Sequence, residues 1–222
     1  MGPTLSGSRA MVVGAEFESG GAIALALAEG GANVAVCALQ PDESVLRSRK
    51  VKRAIEALGR SSSEYVMDVM LGRNVQVTTR QVAKEMNGLD FVISAGELML
   101  EVPLDKITET ELARVVAFNF SAHLFIIRSA AGEFARNELV KGQRGSVLVV
   151  TKHAASRVRI AAVAGAQAGA QQLVREASRE LAEIAVCVNA LVVHEEAESE
   201  TVGIAARDLI ASGVTGEVAE VS

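Results

Sequence analysis

Tryptophan is absent from this chain, tyrosine occurs once, and aromatic residues amount to only 3% of the total. Yet 50% of the residues are hydrophobic. Alanine, valine and glycine carry that apolar mass, a composition that suits a tightly packed parallel sheet covered by helices with broad, flat contacts. No uninterrupted apolar run approaches the roughly 18 residues of a membrane span, so the apolar residues are assigned to a core or a subunit interface. An excess of positive charge is missing as well, since the net charge is −5 and the one basic cluster, Arg47 to Arg53, is interrupted by serine and valine. Nucleic acid is thereby excluded as the main partner, and the cluster reads as a solvated helix face. Cysteine is scarce: Cys37 and Cys187 stand 150 residues apart in apolar segments and read as buried thiols. With no secretory leader at the N-terminus, a reducing cytoplasm is the expected compartment. The three histidines, His123, His153 and His194, lack metal-ligand spacing and are expected on helix surface, loop or interface.

What is present begins with residues 11–39. Met11-Val12-Val13 is a short apolar run ending at Gly14. Ile23, Leu25, Leu27 and Ala28 recur over a helix-length segment, and Asn33 to Cys37 is apolar and β-rich again. This is a strand–helix–strand unit, with Gly30-Gly31 supplying a left-handed helix cap. The same rhythm continues. Helices are predicted over 45–58, 72–86, 108–136, 162–184 and 202–212, the third broken near Asn119 to Ser121. Strands are predicted at 65–67, 89–93, 145–150, 186–193 and 217–221. Alternation of this kind implies a doubly wound parallel sheet of seven strands, Rossmann-like, with helices on both faces. No linker, repeat or low-complexity tract interrupts the 222 residues, so one domain over 1–222 is expected.

The order of landmarks resembles the short-chain dehydrogenase/reductase family over nearly the whole chain. The resembling pieces are VVGAEFESGGAIALALAEGGANVAV, the MDV at 67–69, LDFVISAG at 89–96, FNFSAHLF at 118–125, GSVLVV at 145–150, LVREASRELAEIAVCVNAL at 173–191 and VTGEVAEVS at 214–222. The resemblance implies a dinucleotide site formed by Gly14, Ser19, Gly20, Asp68, Val69, Ala95 and Gly96, but the departures from the pattern are marked. Glu18 stands where the middle glycine of the first turn belongs and would bring a negative charge to a phosphate. Ala38-Leu39-Gln40, after the second strand, indicates neither NAD nor NADP. The family's tyrosine and lysine fall on Val163 and Gln167. Its serine falls near Thr151 or Lys152, and only the helix asparagine, Asn119, is kept. Valine carries no proton to exchange, and an amide carries no charge to stabilise a phenolate. After Val193-His194 the chain reads EEAESE, where relatives carry a long substrate-covering loop, so the substrate lid is read as deleted.

These losses imply no catalytic residue and no cofactor in this chain, with NAD(P) held by a partner subunit. Relatives pair two long helices with another subunit. Here 113–127 is apolar nearly all round and 162–166 is a run of small residues, which supports docking of an active paralogue through 108–136 and 162–184 in a hetero-oligomer, a tetramer by analogy. The chain looks like the non-catalytic subunit of heteromeric dehydrogenases acting on 3-hydroxyacyl-CoA or 3-oxoacyl thioesters, as in benzylsuccinate breakdown. Two alternatives stay open: an oxidoreductase with a rearranged site using Lys152, and a dinucleotide-binding regulator. For Asp68, Asn119 and the acidic run Glu195, Glu196, Glu198 and Glu200, capping, helix-kink and solvated-turn roles are the plainer readings.

Overall fold

The computed structural model describes residues 4–140, 142–153 and 160–222. Seven strands form one sheet: β1 Arg9–Val13, β2 Asn33–Ala38, β3 Ser62–Val66, β4 Phe91–Ser94, β5 Gly145–Lys152, β6 Val186–Val193 and β7 Val218–Val221. Every pair is parallel and the order is β3-β2-β1-β4-β5-β6-β7, so the chain reverses direction across the sheet between β1 and β4. A crevice at the carboxyl ends of the strands follows from that reversal and is where such sheets bind ligands.

Helices α1 Glu18–Glu29, α2 Ser44–Ala57 and α7 Ser199–Ala211 cover one face. Helices α3 Gly72–Glu85, α4 Glu109–Val116, α5 Ala122–Phe134 and α6 Ala161–Leu181 cover the other. Alternate strand residues feed the two cores. Met11, Val13, Ala35 and Cys37 pack with Phe118, Ile126 and Phe134, whereas Val12, Val34 and Val36 pack with Ile23, Leu27 and Ile210. Both thiols are free and buried.

The helix predicted over 108–136 is two α-helices joined by a π-helical turn at Ala117–Ser121. The extra residue leaves backbone groups unmatched, and Asn119 meets one of them: its amide donates to Val115 O at 3.2 Å. A capping box starts α4, with Glu111 N donating to Thr108 Oγ1 at 3.2 Å and Thr108 N to the Glu111 carboxylate at 2.9 Å. By length and composition Glu109–Phe134 could cross a membrane, but 56% of its most apolar window is buried inside the fold, as in a core helix. At the end of α1 the left-handed residue is Gly31, at φ +109, while Gly30 stays helical. Between β6 and α7 only residues 194–198 intervene, so no lid element stands there.

Candidate functional site

The carboxyl ends of β1 and β4 meet backbone to backbone. Gly14 has φ +89, and a Cβ on it would lie 2.6 Å from Gly96 N; one on Gly20 would lie 2.1 Å from Gly14 O. Only glycine permits this approach of the first turn, β4 and the start of α1. Ala95 N donates to Val13 O at 2.8 Å and locks the frame. Phe17 precedes α1 in extended conformation with no side-chain cap, so the helix offers its first N–H groups to the crevice. Glu18 opens α1 directly before Ser19 and Gly20, and its exposed carboxylate turns to α7, where it accepts a 2.6 Å hydrogen bond from Ser199 Oγ.

A cation reaches the same turn from β5. That strand runs two residues past the predicted end, so Lys152 is its last residue and donates from Nζ to Ser19 Oγ at 3.1 Å. Glu97, just beyond β4, has its carboxyl pushed up by burial and pulled back by the Lys152 ammonium. Beside them Gln171 Nε2 donates to Thr151 Oγ1 at 3.2 Å. The structure therefore brings Gly14, Ser19, Gly20, Ala95, Gly96 and Lys152 together.

The other residues singled out by the resemblance lie elsewhere. Val163 is fully buried in a small cluster with Val115 and Ile160, and Gln167 is buried as well. Asn119 is buried and holds the segment after β4, accepting from Leu98 N at 3.1 Å and donating to Leu98 O at 2.9 Å. The sole tyrosine, Tyr65, is on β3 and donates to Glu85 of α3. Asp68 builds a local turn, with its Oδ1 accepting from Met70 N at 3.0 Å, and Val69 beside it is buried core.

His123 corrects its surface assignment. It is 2% exposed, its Nδ1 lies 2.7 Å from Ser94 Oγ on β4, and burial pushes its pKa down to about 4. His153 stacks on His194 with ring centroids 4.0 Å apart, and His194 Nε2 is 3.0 Å from Glu220. Among the described residues no group of three or more His, Cys, Asp or Glu is placed to hold a metal. Sequence reasoning missed Glu16. Its Oε1 accepts from Leu39 N at 2.7 Å, its Oε2 is buried without a partner, and burial pushes the carboxyl up against the pull of the Leu39 N–H. The only sequence signal was its place two residues into the turn.

The model of the short chain dehydrogenase family matches residues 8–194, and the chain belongs to that family. It is 31% identical over 126 residues to a hydroxynaphthalene reductase of Aspergillus fumigatus, covering 57% of this chain and 45% of that protein. It is 24% identical over 187 residues to 2,3-dihydro-2,3-dihydroxybenzoate dehydrogenase of Bacillus subtilis, covering 83% and 68%. The chain thus spans less than half the length of the first and about two thirds of the second. Two solved structures share the fold. A short-chain type dehydrogenase/reductase from Mycobacterium marinum has a TM-score of 0.89 at 20% identity over 98% of this chain and 94% of that one. An NAD+-bound xylitol dehydrogenase has 0.85 at 18% over 97% and 98%.

Family membership over 8–194 takes in the entire glycine frame and overturns the expectation that a dinucleotide is held only by a partner subunit. The physical reason is local: Gly14, Gly20 and Gly96 still make the close approach, and the Glu18 charge is engaged by Ser199. The donors present fit a pyrophosphate, namely the first-turn N–H groups of α1 and the Lys152 ammonium. A nicotinamide dinucleotide bound there would supply hydride-transfer capacity.

Proposed function

We propose that this chain is a short-chain dehydrogenase-fold subunit that holds a nicotinamide dinucleotide in its own glycine frame and lacks the proton-transfer pair. It supports an active paralogue in a hetero-oligomer acting on a 3-hydroxyacyl-CoA or 3-oxoacyl thioester. The observation that carries this reading is Val163, the position of the family's tyrosine, which is 0% exposed and packed against Val115 and Ile160. A group sealed in the core and without a proton cannot serve a substrate oxygen. Docking is supported by the exposed Leu112 and Val116 of α4 and by the small exposed Ala161, Gly165 and Ala168 of α6, which let another helix approach closely.

The test is affinity purification of the tagged chain from its native host, with mass spectrometry and assays using NAD(H) and acyl-CoA substrates. A stoichiometric relative with an intact Tyr-x-x-x-Lys sequence, carrying the activity and losing it on separation, is the expected result. A homo-oligomer active by itself overturns the reading. It would favour the second reading, an oxidoreductase with a rearranged site, for which Lys152 and the upward-shifted carboxyl of Glu97 at the mouth of β5 are the available proton carriers.

A further inference from the structure

We propose that the groove between α3 and α5 is a binding site for a small molecule carrying at least two phosphate groups. Arg73, Val77 and Arg80 of α3 and Arg128 of α5 line a concavity of about 490 Å³. A smaller hollow of about 160 Å³ continues along α5 past Gly132 to Arg136. A third, of about 440 Å³, shares Arg80 and Arg136 and reaches Gly88 and Leu89, just before β4. The site therefore opens towards the amino end of β4, whereas the glycine frame lies at its carboxyl end.

Its charge is unbalanced. Arg136 pairs with Glu133 at 2.7 Å, but among the described residues no carboxylate pairs with Arg73, Arg80 or Arg128. Residues 1–3, 141 and 154–159, which lie outside that set, contain no aspartate or glutamate. Glu133, held by Arg136, is the one carboxylate among the described lining residues, against Arg73, Arg80, Lys84, Arg128 and Arg136, so in a chain of net charge −5 this groove keeps a local positive excess that suits an anion. Arg73 and Arg80 sit two turns apart on one helix face, and Arg128 is steered by the Phe125 ring, whose centroid lies 5.5 Å from its Cζ. Forked guanidinium donors match phosphate oxygens in pairs, and Arg73 and Arg80, seven residues apart on α3, are separated by roughly 10 Å of helix rise, room for two such groups. Gly132 lines the smaller hollow, and a Cβ there would meet nothing within 4 Å, so a larger side chain can project into it without a clash.

The test is isothermal titration calorimetry of the full chain at low ionic strength with inorganic pyrophosphate and with fructose 1,6-bisphosphate, the latter repeated under saturating NADH. The Arg80→Gln/Arg128→Gln variant and Gly132→Leu, which projects into the smaller hollow without a clash, are each expected to weaken binding by roughly tenfold or more. Their melting temperatures should stay near the parent's, and NADH should leave bisphosphate binding unchanged. Absence of binding, affinity unaltered in both variants, or displacement by NADH would overturn the proposal. So would tighter binding of a helical polyglutamate peptide than of either phosphate, which would make the groove a protein-docking surface.

Discussion

Under the proposed function, Val163 and Lys152 together set what the crevice can do. Val163 sits where no substrate can reach it, so Val163→Tyr should overpack the cluster with Val115 and Ile160 and cost about 1–3 kcal/mol. Urea denaturation would read this as a lower midpoint, and an unchanged midpoint would mean that the position faces open space. Lys152→Gln removes the cation at Ser19 and should weaken NADH binding by about tenfold, the loss of one charge-assisted contact. His123 gives a pH signature. Its folded pKa of about 4 lies below the unfolded value of 6.5, so the neutral ring's contribution is complete above pH 6.5 and is lost as pH falls towards 4. Glu16 and Glu97, shifted upward, bind protons more readily in the folded state and act in the opposite sense. Stability of the His123→Gln variant should therefore fall less than the parent's between pH 7 and 5, read as the difference between the two denaturation curves. Identical curves would place His123 in contact with water. Val163 and Lys152 were legible in the sequence, whereas the burial of His123 and the places of Glu16 and Glu97 were not. The partner of His123 is a serine 29 positions earlier on another element, and Glu16 turns across to Leu39, contacts that only the fold creates.

At the scale of elements the sequence was far more informative, because alternation of apolar runs with helix-period segments is a backbone property. The seven strands and the parallel sheet were legible, as was the break in the long helix. Its nature was not: Asn119 marks a π-helical turn whose hydrogen bonds tie α4 to the segment after β4. Asn119→Ala deletes three of these bonds at a buried site and should cost about 1–3 kcal/mol or more, with a lowered melting temperature as the readout. The two extra residues of β5 escaped prediction because lysine is a poor strand marker, yet they are what carries Lys152 to Ser19. Gly20→Ala tests the frame as a unit. Its Cβ would strike the carbonyl of Gly14 at 2.1 Å, so the turn must move and dinucleotide affinity should fall by at least about tenfold.

For the molecule as a whole, the sheet and its two helical layers are retained, only residues 194–198 separate β6 from α7, and Val163 and Gln167, onto which the resemblance carries the family's proton-transfer pair, are buried. The departures from the family pattern led the sequence reading to expect lost chemistry and, from there, the loss of the cofactor as well, an inference that the surviving glycine contacts do not support. Retention of a frame without a proton donor is the central claim. Its most direct test is a titration of the purified chain with NADH, followed by fluorescence, with acyl-thioester and simple carbonyl substrates assayed on the same sample. Saturable binding with no oxidation of NADH is the result the account predicts. Turnover by the chain alone would contradict it.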